Sequence, residues 1–190
     1  MFLRTQEKTF VGLTLTAVIF GGLLMVTSGL MQWASGKSGD WWKKVPRERN
    51  VGSAIGLLAL IWAARIALPM MEGGLAKVKP FLVPAAIALG IACWFLLEYV
   101  MSRALGGILI LVSATVMHMA FSEHAPARWA LSLSCYLVGT AGMVMIGWPW
   151  LFRDWLEKVD GVKRWRLGSV VVVALSGAAI AGVGLMHGLG

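Results

Sequence analysis

The stretch LGSVVVVALSGAAIAGVGLM, residues 167–186, decides the architecture. It carries no charge over twenty residues, and a helix rising about 1.5 Å per residue would cover with it roughly the 30 Å hydrocarbon core of a bilayer. Backbone groups in lipid must be satisfied within the structure, so the choice lies between helices and closed barrels. The period-two alternation of a barrel strand is absent here and elsewhere in the chain. The stretch therefore reads as a transmembrane helix.

Runs of the same kind recur along the whole length. The predicted spans are Phe10–Met31, Val51–Met71, Phe81–Val100, Ala104–Phe121, Trp129–Trp150 and Leu167–Met186, each ending at a charge cluster, a proline or an aromatic girdle. Arg4 and Lys8 precede the first span as they would a secretory signal. Its apolar stretch exceeds the ~7–15 residues of a signal core, so it is expected to be a retained helix. Composition agrees: 58% of the 190 residues are hydrophobic and 14% charged, where soluble domains carry about a quarter charged residues. The expected fold is an all-α integral membrane bundle of about six helices in three hairpins, forming a single polytopic domain over residues 1–190.

Lysine and arginine set the orientation. The connections at 32–50, at a tight turn around Arg103 and at 151–166 hold eleven of them: Lys37, Lys43, Lys44, Arg47, Arg49, Arg103, Arg153, Lys158, Lys163, Arg164 and Arg166. The opposite face has five: Arg4, Lys8, Lys77, Lys79 and Arg128. Both termini are thus expected outside, in the periplasm if the membrane is the inner membrane of a bacterium. Trp33, Trp41, Trp42, Trp148, Trp150, Trp155 and Trp165 fall at or beside the cytoplasmic boundary, the level an indole prefers. Asp40–Arg49 and Phe152–Arg166 mix tryptophan with lysine and arginine, so both are expected to lie partly along the surface, drawn to anionic lipid. The net charge of +8 therefore calls for no nucleic acid.

Small residues four apart let helices approach closely in lipid. Gly52 and Gly56, Ala86 and Gly90, Ala178 and Gly182, and Gly184 and Gly188 have that spacing and are expected to form contact seams, within the chain or with a partner subunit. Arg49 then Gly52, Arg103 then Gly106, and Arg166 then Gly168 open the second helix of each hairpin. Positive-inside placement accounts for this pattern better than an internal repeat does.

Polar groups inside the membrane are the first place to seek chemistry. Arg65 is the deepest full charge, placed to snorkel outward or to pair with Glu72, and Glu98 is placed for an interfacial ion pair with Arg103. Ser132, Tyr136 and Thr140, four apart, line one face of the fifth span for interhelical hydrogen bonds or, as a minor alternative, a quinone or pigment headgroup. His118, His124 and His187 fall at the outward ends of helices, beside Met117, Met119 and Met186. Imidazole with thioether suits copper, through His118, His187 and Met186, and two facing imidazoles suit haem iron or a chlorophyll magnesium. Against this, Met117, His118 and Met119 cannot all face one site on a regular helix, and methionine often only fills apolar gaps.

Cys93 and Cys135 lie far apart, with no CxxC or CxxCH spacing, and are expected to be inert. No phosphate-cradling, dinucleotide, HExxH or GxSxG pattern occurs. The leading expectation is a non-catalytic polytopic subunit, without a cofactor, packing against other membrane proteins in a larger bioenergetic or transport assembly. The alternatives are a haem-, chlorophyll- or copper-binding electron-transfer or metal-handling protein using His118 and His187, and a small transporter working around Arg65.

Overall fold

A computed structural model describes residues 2–34, 48–71, 77–96, 99–125 and 127–189. Every regular element among them is helical: α1 Phe2–Ala34, α2 Arg49–Ala67, α3 Lys79–Leu96, α4 Val100–Ser122, α5 Arg128–Gly147, α6 Pro149–Gly161 and α7 Lys163–Leu189. Five of these helices, α1, α2, α4, α5 and α7, are long and apolar enough to cross a membrane; the apolar stretch of α3, Lys79–Phe95, is shorter. Lys37, Lys43, Lys44, Arg47, Trp41, Trp42, Glu72 and Glu98 lie outside the described residues, and with them the Asp40–Arg49 segment up to its last two positions.

Helix ends depart from the expected boundaries for local reasons. α2 stops at Ala67, not Met71, because Pro69 has no N–H to continue the ladder, and Leu68–Met70 tightens into a 3-10 turn. Arg65 therefore sits in the last turn of α2, where a cation meets unpaired carbonyls. α5 stops at Gly147 instead of Trp150: Trp148 adopts φ −129° and ψ 70°, and Pro149 starts α6 at a position that needs no N–H donor. The turn expected around Arg103 lies earlier, because Tyr99 takes a left-handed φ of 57° and α4 begins at Val100. Arg103 is consequently a helical residue one turn into α4.

Contacts fix the relative directions. Gly21 lies against Gly177, and Thr14 against Gly188, so α1 and α7 are antiparallel, with the end of α7 beside the start of α1. This is the most extensive helix interface, followed by that of α4 with α5, where Gly106 and Gly142 meet. α2 runs parallel to α4, Gly52 touching Met101 and Gly56 touching Ala104, and antiparallel to α3, whose Gly90 meets Leu57. A core of Leu13, Ala17, Phe20, Val116, Leu131, Cys135, Ile180 and Val183 joins α1, α4, α5 and α7.

Much of the surface is apolar as well. Leu23, Leu58, Phe95, Leu133 and Leu175 are all exposed. Hydrophobic burial cannot hold such helices together in lipid, since the alternative environment is equally apolar. Close approach does it instead: the buried positions include Ala17, Ala59, Ala64, Ala104 and Ala120. α6 differs, burying Pro149, Leu156 and Val159 and turning Glu157, Lys158 and Asp160 outward, an amphipathic helix packed against α5 and α7.

Candidate functional site

α5 has two faces of different character. One buries Leu131, Ser134, Cys135, Val138, Gly142 and Met145, chiefly against α4. The small side of α4 makes this possible: Gly106 meets Gly142, Gly139 lies 3.8 Å from Ser113 as measured from an added Cβ, and the Ser102 hydroxyl donates to the Met145 carbonyl at 3.1 Å. Opposite lie Leu133, Tyr136, Leu137, Thr140 and Met143, all exposed, because each is about half a helical turn away from the buried set.

Tyr136 gives this outer face its chemistry. Its side chain is 63% exposed, and it stands eight residues from Arg128, or about 12 Å along the axis from the start of α5. A phenol cannot reach its own helix carbonyls, whereas Thr16, Thr115 and Ser134 donate to carbonyls four residues back. Ser132, on the flank, keeps a buried Oγ with no hydrogen-bond partner among the described residues. Of the sequence stripe, Tyr136 and Thr140 thus face away from the bundle, and Ser132 stands at the edge of the buried face.

The three histidines take separate positions. His187 Nε2 lies 3.0 Å from Glu123 Oε2, both side chains nearly buried, which ties the end of α7 to the end of α4. His118 is exposed on α4, Met186 is exposed on α7, and His124 is exposed in the α4–α5 turn at φ 53°. Glu123 is a partner that the sequence pattern did not single out. No group of three His, Cys, Asp or Glu side chains with metal-binding geometry occurs among the described residues.

The glycine pairs also divide. Gly52, Gly184 and Gly188 stand where an added Cβ would come within 3.0 Å of a neighbouring helix, while Gly56 has ordinary room at 3.5 Å. Gly182 meets nothing within 4 Å, and Ala178 is exposed. Two further seams, as tight as that at Gly52, pair glycines of different helices, Gly21 with Gly177 and Gly106 with Gly142, so no spacing within one helix reveals them. The Arg-then-Gly positions differ as well: Arg49 donates to the carbonyls of Trp94 at 2.9 Å and Phe95 at 3.3 Å, Gly106 is packed, and Gly168 is open.

At the α6 end, the Trp155 Nε1–H donates to Ser169 Oγ at 3.0 Å, and Lys158 Nζ lies 5.5 Å from the Trp165 ring centroid. Arg153 donates to Asp154 at 2.8 Å, and that hydrogen bond and charge push its guanidinium above its ordinary pKa. Cys93 and Cys135 are both free thiols.

Comparison with protein-family models, curated proteins and solved structures gives no significant match for this sequence.

Proposed function

We propose that this chain is a non-catalytic polytopic membrane subunit that packs against other membrane proteins through the outer face of α5. The observation that carries this reading is the Tyr136 hydroxyl, held outward near the middle of a helix long and apolar enough to span. Left facing lipid, a hydroxyl at that depth has no water to bond, at a cost of roughly 1–3 kcal/mol on mutational scales. A partner helix that accepts a hydrogen bond from Tyr136 and packs on Leu133, Leu137 and Met143 removes the penalty. Interfaces in lipid are built in this way, from small and hydroxyl-bearing residues.

In this reading α3 is the sixth crossing. Its 18 residues give about 27 Å of helix, close to a bilayer core. The eleven cations of the basic face support a reading in which that face is cytoplasmic, the membrane is a bacterial inner membrane, both termini lie outside and α6 rests at the headgroup level. In this reading the assembly is bioenergetic or transport machinery.

Extraction in mild detergent and determination of particle mass tests the proposal. The chain of 20.5 kDa should elute in a larger complex with at least one other membrane protein, and Tyr136→Phe combined with Thr140→Val should release it. Elution as the lone chain, unchanged by the double substitution, counts against the reading.

A further inference from the structure

A cavity of about 330 Å³ opens between α2, α3 and α4, with Ile146 of α5 also in its lining, within the range of roughly 300–1,000 Å³ usual for small-ligand sites. Its walls are apolar, Leu57, Leu60, Gly90, Gly107 and Ile110 among them, with one charged side chain in the lining, Arg103. The Arg103 Nε–H is buried and has no hydrogen-bond partner among the described residues. Arg49, at the same end of the bundle, is already committed to the carbonyls of Trp94 and Phe95.

The dimensions are those of one membrane leaflet. On α2 the lining runs from Ser53 to Ala63 and on α4 from Val100 to Leu111, each about 15 Å at 1.5 Å per residue, or half of a ~30 Å hydrocarbon core. Arg103 stands near the end of this length, one turn from the start of α4.

We propose that the cavity holds one acyl chain of an anionic phospholipid from the surrounding membrane, with its phosphate accepting hydrogen bonds from the Arg103 guanidinium. The buried Nε–H needs an acceptor, and an arginine fork matches phosphate oxygens bidentately. Arg153, Lys158, Lys163, Arg164 and Arg166 follow on the connection at the same end of the bundle and raise the local concentration of anionic lipid. This site is distinct from the outer face of α5 and stands whether or not that face meets a partner.

The full chain, purified in mild detergent, is offered phosphatidylglycerol, phosphatidylcholine or free oleate, and retained lipid is read by native mass spectrometry. One phosphatidylglycerol per chain should be retained, with phosphatidylcholine and oleate lost. Arg103→Gln should weaken retention by about tenfold or more, the weight of one charge-assisted hydrogen bond, and Arg103→Lys should keep most of it. Gly107→Leu should abolish retention while leaving Arg103 in place, because a side chain there meets nothing within 4 Å and grows into the cavity. Melting temperatures taken on the same samples identify any variant that has not folded, and the charge and cavity variants are independent of each other. Equal retention of phosphatidylglycerol and phosphatidylcholine, binding of oleate alone, a protein chain in place of lipid, or parental retention in folded Arg103→Gln and Gly107→Leu would each overturn the proposal.

Discussion

Gly177→Ala and Gly182→Ala place the same methyl group on the same helix, one against the backbone of α1 and the other in open space. A Cβ at position 177 would stand 2.7 Å from the Gly21 carbonyl oxygen and 3.0 Å from Leu24 Cβ; at 182 it would meet nothing within 4 Å. Ordinary contact begins at 3.4 Å, so α1 and α7 must part by about 0.7 Å around position 177. Leu24 is packed on the core of α1 and α7, so the separation loosens contacts beyond the glycine itself. Overpacking of this kind costs about 1–3 kcal/mol. Both substitutions gain the same helix propensity, up to ~1 kcal/mol for alanine over glycine, and the difference between them isolates the packing cost. Unfolding in mixed micelles, followed by tryptophan fluorescence, should place Gly177→Ala about 1–3 kcal/mol below Gly182→Ala. Equal stability of the two variants would refute the α1–α7 seam as the main helix contact.

Glu123→Ala should lower stability by roughly 1.5–3 kcal/mol, since it strips a nearly buried His187 of its 3.0 Å partner; thermal unfolding in detergent measures it, and no change would show that the pair holds nothing. Ala127→Gly should raise stability by up to ~1 kcal/mol, because alanine at φ 49° occupies the left-handed region that glycine enters without a Cβ penalty; the same assay reading a loss would contradict the turn geometry. Cysteines placed at the exposed positions Asp160 and Lys77 should react with a membrane-impermeant reagent from opposite sides, and labelling from one side would remove a crossing between them.

Apolar runs without charge are sufficient to mark spans, and α1, α4 and α7 lie where their composition places them. Residue pattern is weaker at ends. Nothing in the run 96–103 marks Tyr99 as a residue with positive φ, so the α3–α4 turn was expected at Arg103, where the charge is. The proline at 69 and the Trp-Pro pair at 148–149 were visible signals, yet hydropathy continues past both. Seams were only half legible for a different reason. Four-residue spacing identifies a face that a neighbour could approach, and it holds equally for Gly184 with Gly188, which meet α1, and for Ala178, which is exposed, with Gly182, where an added Cβ meets nothing within 4 Å. Which face is used depends on the other helix, as Gly21 opposite Gly177 shows. The polar stripe of α5 was legible in position but not in direction, since a period of four fits a buried hydrogen-bonding face as well as an outward one. The cavity beside Arg103 arises from four helices at once and leaves no mark in any one of them.

The most direct test of the central claim is a photo-reactive residue at Leu137, exposed between Tyr136 and Thr140 on α5, activated in the native membrane. The account predicts a discrete protein adduct from this position, and none from Leu58, which is exposed on α2. Lipid adducts alone at Leu137, at the same yield as at Leu58, would contradict it.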